Sequence, residues 1–537
     1  MAIRKLLVAN RGEIAVRIFR TCRELGVGTV AVAAPDDRGA FHTRVADETV
    51  EIGSYLFSEE HIRAAKRAGA DAIHPGYGFL AENADFAEAV EAAGLVFVGP
   101  TPEALRSGGD KLEAKRIASE AGVPVLPAGD PEEVGFPLVL KAAAGGGGRG
   151  MRVVREPGAL EESLAAARRE AKAAFRDDRV FAERYLERPR HIEVQVLADE
   201  HGNVATLGER ECSIQRRHQK VLEESPSPAL DEALRRRLSE AAVAFADALR
   251  YRSAGTVVFV LDGRDFYLLE LNGRIQVEHP VTELVTGLDL VAEQLRIAAG
   301  EHRSHEHDAS TLAGHAVEVR LYAEDPRTFF PQAGRIERLR LPDTVRVDAG
   351  VEEGDQVGLA YDPMIAKLIA HGPTRNEALD RLRDALAEAE VAGVATNLSF
   401  LRWLVSHPVV RAGRTTTAFL TEHPPLSETA PEPDLPWRGA WRLNMPAPPP
   451  YPPPSSDSAP GLPGAESSVL TAPMPGTVIR VSVAAGDRVH ARQPLVILEA
   501  MKMETPLVSP YEAVVRAVHV AEGDQVAGGS VLVELEE

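Results

Sequence analysis

Cysteine is nearly absent: Cys22 and Cys212 are the only two in 537 residues. Two thiols so far apart do not make a disulfide framework, so the chain reads as cytoplasmic. Aromatic residues make up only 5%, so the core must rely on Ala, Val and Leu. No apolar run approaches the roughly 18 residues of a membrane span. The first ten residues carry a short apolar run followed by Arg11, without the charged-apolar-small order of a secretory signal. Excess positive charge is also missing. The formal net charge is -20, which disfavours a nucleic-acid partner and otherwise signals only solubility.

What is present looks globular, with 44% hydrophobic and 26% charged residues and a length suited to several domains. The first hundred residues alternate short apolar runs with helical patterns. Residues 5–9, 29–34, 70–73 and 95–98 read as strands, and 13–25 as a helix stopped by Gly26. Such alternation predicts a parallel sheet with crossover helices. A boundary falls near 107–110. Beyond it, 138–141 is a strand entering a glycine run, and 193–198, 257–261 and 266–271 read as antiparallel strands. Residues 314–420 mix short strands with a strong helix at 375–389.

Composition then changes. Residues 424–468 are dense in proline, which disfavours a packed core and favours extended polyproline II. At about 3.1 Å per residue such a tether reaches on the order of 100 Å. It precedes an internal repeat. Thr477-Val478-Ile479-Arg480-Val481 and Ala485-Gly486-Asp487-Arg488-Val489 recur as 514–518 and 522–526, at an offset of 37 residues. Two copies of a small β unit predict a quasi-twofold β-sandwich. Between them, Glu499-Ala500-Met501-Lys502-Met503-Glu504 should form a hairpin at one end.

The Ala-Met-Lys-Met run and its repeat resemble the biotinyl domain of biotin-dependent carboxylases, which implies covalent biotin on Lys502. Upstream, Lys141-Ala142-Ala143-Ala144 leads into Gly145, Gly146, Gly147 and Gly148, then Arg149-Gly150. Consecutive glycines let backbone amides approach phosphate oxygens, and the order is not Walker A. The chain also contains Ala9-Asn10-Arg11-Gly12-Glu13-Ile14-Ala15, His74-Pro75-Gly76-Tyr77-Gly78-Phe79-Leu80, Gln215-Arg216-Arg217-His218-Gln219-Lys220, Glu270-Leu271-Asn272 and Arg274-Ile275-Gln276-Val277-Glu278-His279-Pro280. Together these motifs resemble the biotin carboxylase branch of the ATP-grasp superfamily, from about residue 3 to 420.

The resemblance implies a multidomain α/β chain. Its parts are a Rossmann-like N-terminal domain (1–107), an ATP-grasp domain (108–313), a mixed α+β C-terminal carboxylase domain (314–423), the linker (424–468) and an all-β carrier domain (469–537). It implies that Lys111, Lys141 and the glycine run contact ATP phosphates. Glu183, the backbone near Arg184-Tyr185, and Leu186 would hold adenine, and His191 the ribose side. Gln215 and His218 would line the nucleotide pocket. Glu270 would hold Mg²⁺, or Mn²⁺ as its alternative, with Asn272 assisting. Lys220, Arg274 and the backbone near Gln276 and Val277 would bind bicarbonate. Glu278 would be the general base, its pKa lowered by the surrounding cations. The carboxyphosphate formed would release CO₂, its phosphate would help deprotonate biotin, and Arg320 would stabilise the developing enolate.

Three departures accompany the match. Val258 stands where the family places a second metal-binding glutamate. Ala144 replaces the first glycine of a five-glycine run. Residues 127–141 are short where the family has an extra helix leading into a mobile lid. In addition, 436–444 resembles only the start of a domain that docks a β subunit. The expected activity is ATP-dependent carboxylation of biotin on Lys502. Expected partners are a separate carboxyltransferase β subunit acting on an acyl-CoA, a transient biotin protein ligase, and a second copy of the chain. The competing readings are a biotinylated carrier with an inert ATP-grasp domain, and the ATP-dependent subunit of a pyruvate or urea carboxylase.

Overall fold

A computed structural model describes residues 2–143, 151–175, 177–216, 219–303, 312–327, 329–425, 469–472, 476–490, 493–500, 503–526 and 530–536. They fall into two compact units, one holding Met1–Val357 with Met364–Pro425 and the other holding the C-terminal strands.

The first unit begins with a five-stranded sheet, β1 (Lys5–Val8), β2 (Gly28–Ala33), β3 (Glu48–Glu51), β4 (Ala72–His74) and β5 (Val96–Phe97), in the order β3-β2-β1-β4-β5. Every pairing is parallel, as the alternating sequence pattern requires. The crossover helix Gly12–Glu24 buries Ile14, Ala15, Ile18, Phe19 and Cys22 at three- and four-residue spacing. Two loops at the carboxyl ends of β1 and β4 are tied together. Asn10 Nδ2 donates to the carbonyls of Pro75 and Tyr77, both at 2.7 Å. Gly76 permits this approach: its φ is +63°, and a Cβ there would lie 2.8 Å from Asn10 Nδ2.

A four-stranded sheet follows, β6 (Ala128–Gly129), β7 (Leu138–Ala142), β8 (Arg152–Val154) and β9 (Val180–Arg184), in the order β6-β9-β7-β8. The short stretch before β7 holds a one-turn helix, Pro131–Val134.

The scaffold of the unit is an eight-stranded antiparallel sheet. Its members are β10 (Arg190–Ala198), β11 (Val204–Arg216), β12 (Gln219–Ser225), β13 (Ser253–Asp262), β14 (Asp265–Asn272), β15 (His315–Tyr322), β16 (Arg346–Ala349) and β17 (Met364–Gly372). The order is β14-β13-β10-β11-β12-β15-β17-β16. Period-two alternation separates its faces. Ile192, Val194 and Val196 of β10 and Val257, Phe259 and Leu261 of β13 pack on helix Glu232–Ala248 through Leu234, Leu238 and Phe245. Val317, Val319 and Leu321 of β15 pack on helix Arg375–Glu388 through Leu379 and Leu382. The intervening residues, among them Glu193, Arg210, Glu223, Glu318, Arg320 and Lys367, are buried and charged. Strands β11 and β12 are additions to the sequence reading.

The C-terminal unit consists of two four-stranded sheets. One contains Val469–Thr471, Val531–Glu536, Ala513–Val518 and Arg488–Val489. The other contains Met503–Val508, Pro494–Ala500, Gly476–Val481 and Gln525–Val526. The repeat is visible in the hydrogen bonds. Gly486 N–H donates to Val515 and Gly523 N–H to Val478, both at 2.7 Å. Val478 N–H donates to Asp524 and Val515 N–H to Asp487, both at 2.8 Å. Each donor and acceptor is related to its counterpart by the 37-residue offset. Strands 494–500 and 503–508 pair as far as Ala500 opposite Met503, so they flank the expected hairpin. Lys502 lies outside the described residues. Among the described residues, no helix is long and apolar enough to cross a membrane.

Candidate active site

The charged face of the large sheet converges on Glu278, at the N-cap of helix His279–Thr286. Lys220 of β12 donates to Glu278 Oε1 at 2.5 Å, and Arg320 of β15 donates to Oε2 at 3.0 Å. The Glu278 side chain is only 1% exposed, so its two oxygens are satisfied by cations rather than by solvent. Burial pushes its pKa up. Lys220 and Arg320 outweigh that, against the opposing charge of Glu193, and hold the carboxylate below its ordinary range. Lys220 also donates to Glu193, which accepts from Arg210 at 3.3 Å and hydrogen-bonds His191 Nε2 at 3.0 Å. Burial alone would lower the Lys220 ammonium, but its two carboxylates hold it above the ordinary lysine range.

Arg274 enters from the loop after β14. It donates to Gln276 Oε1 at 2.8 Å, to Asn272 Oδ1 at 3.2 Å and to Glu82 Oε2 at 3.1 Å. The Gln276 Nε2 is buried without a partner among the described residues. An orphaned donor on a side chain held by Arg274, two residues before Glu278, suits a small oxyanion, because a buried N–H left unpaired costs about 1–3 kcal/mol. The Val277 carbonyl accepts from Lys367 Nζ at 2.7 Å, which fixes this peptide.

A second cluster lies on β7, β9 and helix Lys111–Glu120. Lys141 and Lys115 both pair with Glu183, whose side chain is 1% exposed. Burial raises the Glu183 carboxyl, and the two lysines outweigh it and bring the pKa below the ordinary range. The sequence reading gave Glu183 to adenine. Its carboxylate pairs with two lysines, and Lys115 is a residue that the sequence reading did not name. Lys111 follows the cap Asp110; burial lowers its pKa, and Glu270 partly offsets that. His191 N–H donates to Ser213, and Gln215 Nε2 donates to the Cys212 carbonyl. Leu186 sits in the loop after β9. Gly145–Gly148 and His218 lie outside the described residues.

Val258 is directly opposite Glu270 across β13 and β14, and opposite Glu193 across β10. One transverse row therefore reads Glu193, Val258, Glu270. The valine side chain is fully buried, and Asn272 is engaged by Arg274. The donor set offers one carboxylate to a divalent cation bound with ATP; Glu193 is already taken by Lys220, Arg210 and His191. These residues fit one ion held by Glu270 and phosphate oxygens, rather than ions bridged by two carboxylates.

Sequence comparison resolves the family. The description "Biotin carboxylase, N-terminal domain" matches residues 2–105, "Carbamoyl-phosphate synthase L chain, ATP binding domain" 110–305, "Biotin carboxylase C-terminal domain" 318–422, and "Biotin-requiring enzyme" 468–535. The biotin carboxylase of Halalkalibacterium halodurans is 48% identical over 441 residues, covering 78% of this chain and 98% of the relative. The chain belongs to the biotin carboxylase family.

Its relatives include longer proteins. The propionyl-CoA carboxylase alpha chain of Ruegeria pomeroyi is 48% identical over 78% of this chain and 68% of its own length. The methylcrotonoyl-CoA carboxylase alpha subunit of Oryza sativa is 48% identical over 79% of this chain and 60% of its own. Among solved structures, the Campylobacter jejuni biotin carboxylase–ATP-analogue complex superposes with a TM-score of 0.76 at 41% identity, covering 78% of this chain and 99% of that one. The biotin carboxylase domain of the Hydrogenobacter thermophilus 2-oxoglutarate carboxylase, solved with MgADP and bicarbonate, gives 0.77 at 43%, covering 79% and 98%. The carboxylase body and a biotin-requiring tail are thus fused in one chain, as in acyl-CoA carboxylase alpha chains. Its activity is ATP-dependent carboxylation of biotin, and the reading as an inert carrier is not favoured.

The residues that the sequence reading missed are mostly strand charges: Glu193, Arg210, Glu223, Glu318 and Lys367. His191, Glu193 and Gln195 alternate with Ile192, Val194 and Val196, and that period of two was the available signal.

Proposed function

We propose that Glu278 is the general base that takes the bicarbonate proton as the bicarbonate oxygen attacks the γ-phosphate of ATP. Lys220, Arg274 and the Gln276–Val277 segment hold the anion. Lys111, Lys141 and the glycine run 145–148 neutralise the phosphates, with Lys115 and Glu183 keeping Lys141 in place. The backbone near Glu183, with Leu186, His191, Gln215 and His218, surrounds the nucleoside. Glu270 holds one divalent ion, with Asn272 beside it. Biotin, when bound, supplies the ureido nitrogen that receives the carboxyl group. Arg320 places its positive charge where the ureido oxygen gains negative charge.

The observation that carries this reading is the placement of Lys220 and Arg320 on opposite oxygens of one buried carboxylate. It keeps a base ionised in a site where burial alone would protonate it. The test is ADP release by purified full-length protein given ATP, Mg²⁺, bicarbonate and free biotin. Turnover should require both bicarbonate and biotin. Glu278→Gln should lower it by about 10²-fold or more, and Lys220→Ala should abolish the bicarbonate-dependent turnover. Equal turnover without bicarbonate would overturn the assignment.

The tail positions biotin on Lys502 after modification by a biotin protein ligase, and the tether 424–468 carries it to a carboxyltransferase on another chain. The alpha-chain relatives support an acyl-CoA as acceptor, the dimeric biotin carboxylase domain of the Hydrogenobacter thermophilus enzyme supports a homo-oligomeric carboxylase body, and two isolated, buried thiols suit a reducing cytoplasmic setting. Streptavidin capture of the native protein, with mass spectrometry of its companions, identifies that carboxyltransferase. A pyruvate- or urea-specific partner would overturn the acyl-CoA assignment.

A further inference from the structure

Behind Arg320 lies a pair of acids that the reaction as described does not use. Glu223 of β12 and Glu318 of β15 face each other in register, and both are fully buried. Arg320 Nη2 lies 2.5 Å from Glu223 Oε1, and the other three carboxyl oxygens of the pair lack a hydrogen-bond donor among the described residues. The same Arg320 nitrogen serves Glu278 at 3.0 Å, so one guanidinium is shared by the base and by an acid from the pair. The other charged or titratable groups around the pair are Lys220 and Cys212 from β12 and β11, Lys367 from β17, and Glu278 itself. Lys220 is committed to Glu193 and Glu278, and Lys367 to Glu13 and the Val277 carbonyl. Two buried carboxylates cannot both ionise beside a single shared cation, because each disfavours the charge of the other.

We propose that Glu223 and Glu318 share one proton in the working enzyme, and that proton occupancy of Glu223 sets how much positive charge Arg320 offers to the bound acceptor. When Glu278 takes up the bicarbonate proton, its hold on Arg320 weakens. With Glu223 neutral, the guanidinium then faces the acceptor oxygen unopposed. With Glu223 ionised, Arg320 stays neutralised. Glu223 is thus a positioning residue acting through Arg320, and the active form is the protonated one. Burial, chiefly, and the charge of Glu278 push the Glu223 carboxyl up, against Arg320 and Lys220, to about 7. Burial likewise holds Glu318 well above the ordinary range. The sign follows: turnover should decline as pH rises through neutrality.

The inference rests on the role proposed for Arg320, and the test separates the two. The rate of free-biotin carboxylation by the full-length protein is measured from pH 6 to 9 at saturating ATP and bicarbonate. Wild-type activity should show an alkaline decline centred near neutrality. Glu223→Gln, fixed in the neutral form, should lose that limb, its rate no longer falling between pH 7 and 9. Glu318→Gln removes the neighbouring negative charge that disfavours ionisation of Glu223, so the limb should move to lower pH by about one unit. If Glu223→Gln only scales the wild-type profile, the inference is overturned while the assignment of Arg320 stands. If Arg320→Met leaves wild-type carboxylation unchanged, the underlying assignment is what fails. Infrared spectra of the wild type avoid dependence on the folding of any variant. A protonated-carboxyl C=O band should titrate near neutrality, and its absence across that range would also overturn the proposal.

Discussion

Val258→Glu puts a third acid into a transverse row whose other members are Glu193 and Glu270. Cross-strand neighbours bring their Cβ atoms to about 5 Å, and their carboxylates to roughly 6 Å. At an effective dielectric constant of about 20, like charges at that distance repel by about 2.8 kcal/mol. Glu193 is already compensated by Lys220 and Arg210, so Glu270 dominates the repulsion. That energy equals about two pKa units, which would bring the new carboxyl to between about 6 and 7 in metal-free protein. The substitution should therefore destabilise metal-free protein by about 3 kcal/mol at pH 8, less at pH 6. A divalent ion between the two carboxylates reverses the sign. The midpoint for Mg²⁺ in the presence of ADP should tighten by about 100-fold, at 1.4 kcal/mol per decade. Calorimetric titration of Mg²⁺ into the ADP complex, with thermal melts at both pH values, measures both effects, and turnover at limiting Mg²⁺ should rise. Unchanged metal affinity together with unchanged metal-free stability would refute the reasoning, because Val258 would then not face the ion.

Lys367→Met leaves Glu13 buried without its cation. The expected loss is about 3–5 kcal/mol, seen as a lower urea midpoint, and Glu13→Gln in the same chain should recover much of it. The Glu13 carboxyl is already pushed up, chiefly by burial, against Lys367. The penalty in Lys367→Met should accordingly shrink as pH falls and Glu13 protonates. Cys22 and Cys212 are buried, and burial raises the first thiol to about 12 and the second well above its ordinary range. Native protein should resist alkylation at pH 8 and take up two labels after denaturation, as counted by mass spectrometry. Lys502→Arg should abolish streptavidin capture while leaving carboxylation of free biotin intact.

Sequence carried the motif residues furthest. Glu270, Asn272, Arg274, Gln276 and Glu278 lie close together in the chain, and the fold keeps them together at the end of β14. The first sheet was also legible, because parallel strands buried on both faces read as plain apolar runs. Strands β11 and β12 were not. Glu209, Arg210 and Glu211 occupy the middle of β11, and Glu223 and Glu224 the middle of β12. Such charges read locally as a solvated surface. They are buried because partners arrive from distant segments: Arg235 for Glu209, Arg375 for Glu224, Gln195 and Thr282 for Arg210. Compensation at that range leaves no local signature. Lys115 was hidden in the same way, as an ordinary helix lysine whose partner Glu183 lies on β9.

The reciprocal bonds of the tail bear on how that domain can be cut. The turn at Gly486-Asp487 closes on Val515, and the turn at Gly523-Asp524 closes on Val478. Neither half therefore completes its own backbone pairing. A chain ending after residue 508 keeps the carrier lysine in its sequence but loses the acceptor that orders the first turn, and such a fragment should behave as an open polypeptide. Recognition by any enzyme that reads the folded hairpin would then vanish, although every residue of the Ala-Met-Lys-Met run is still there.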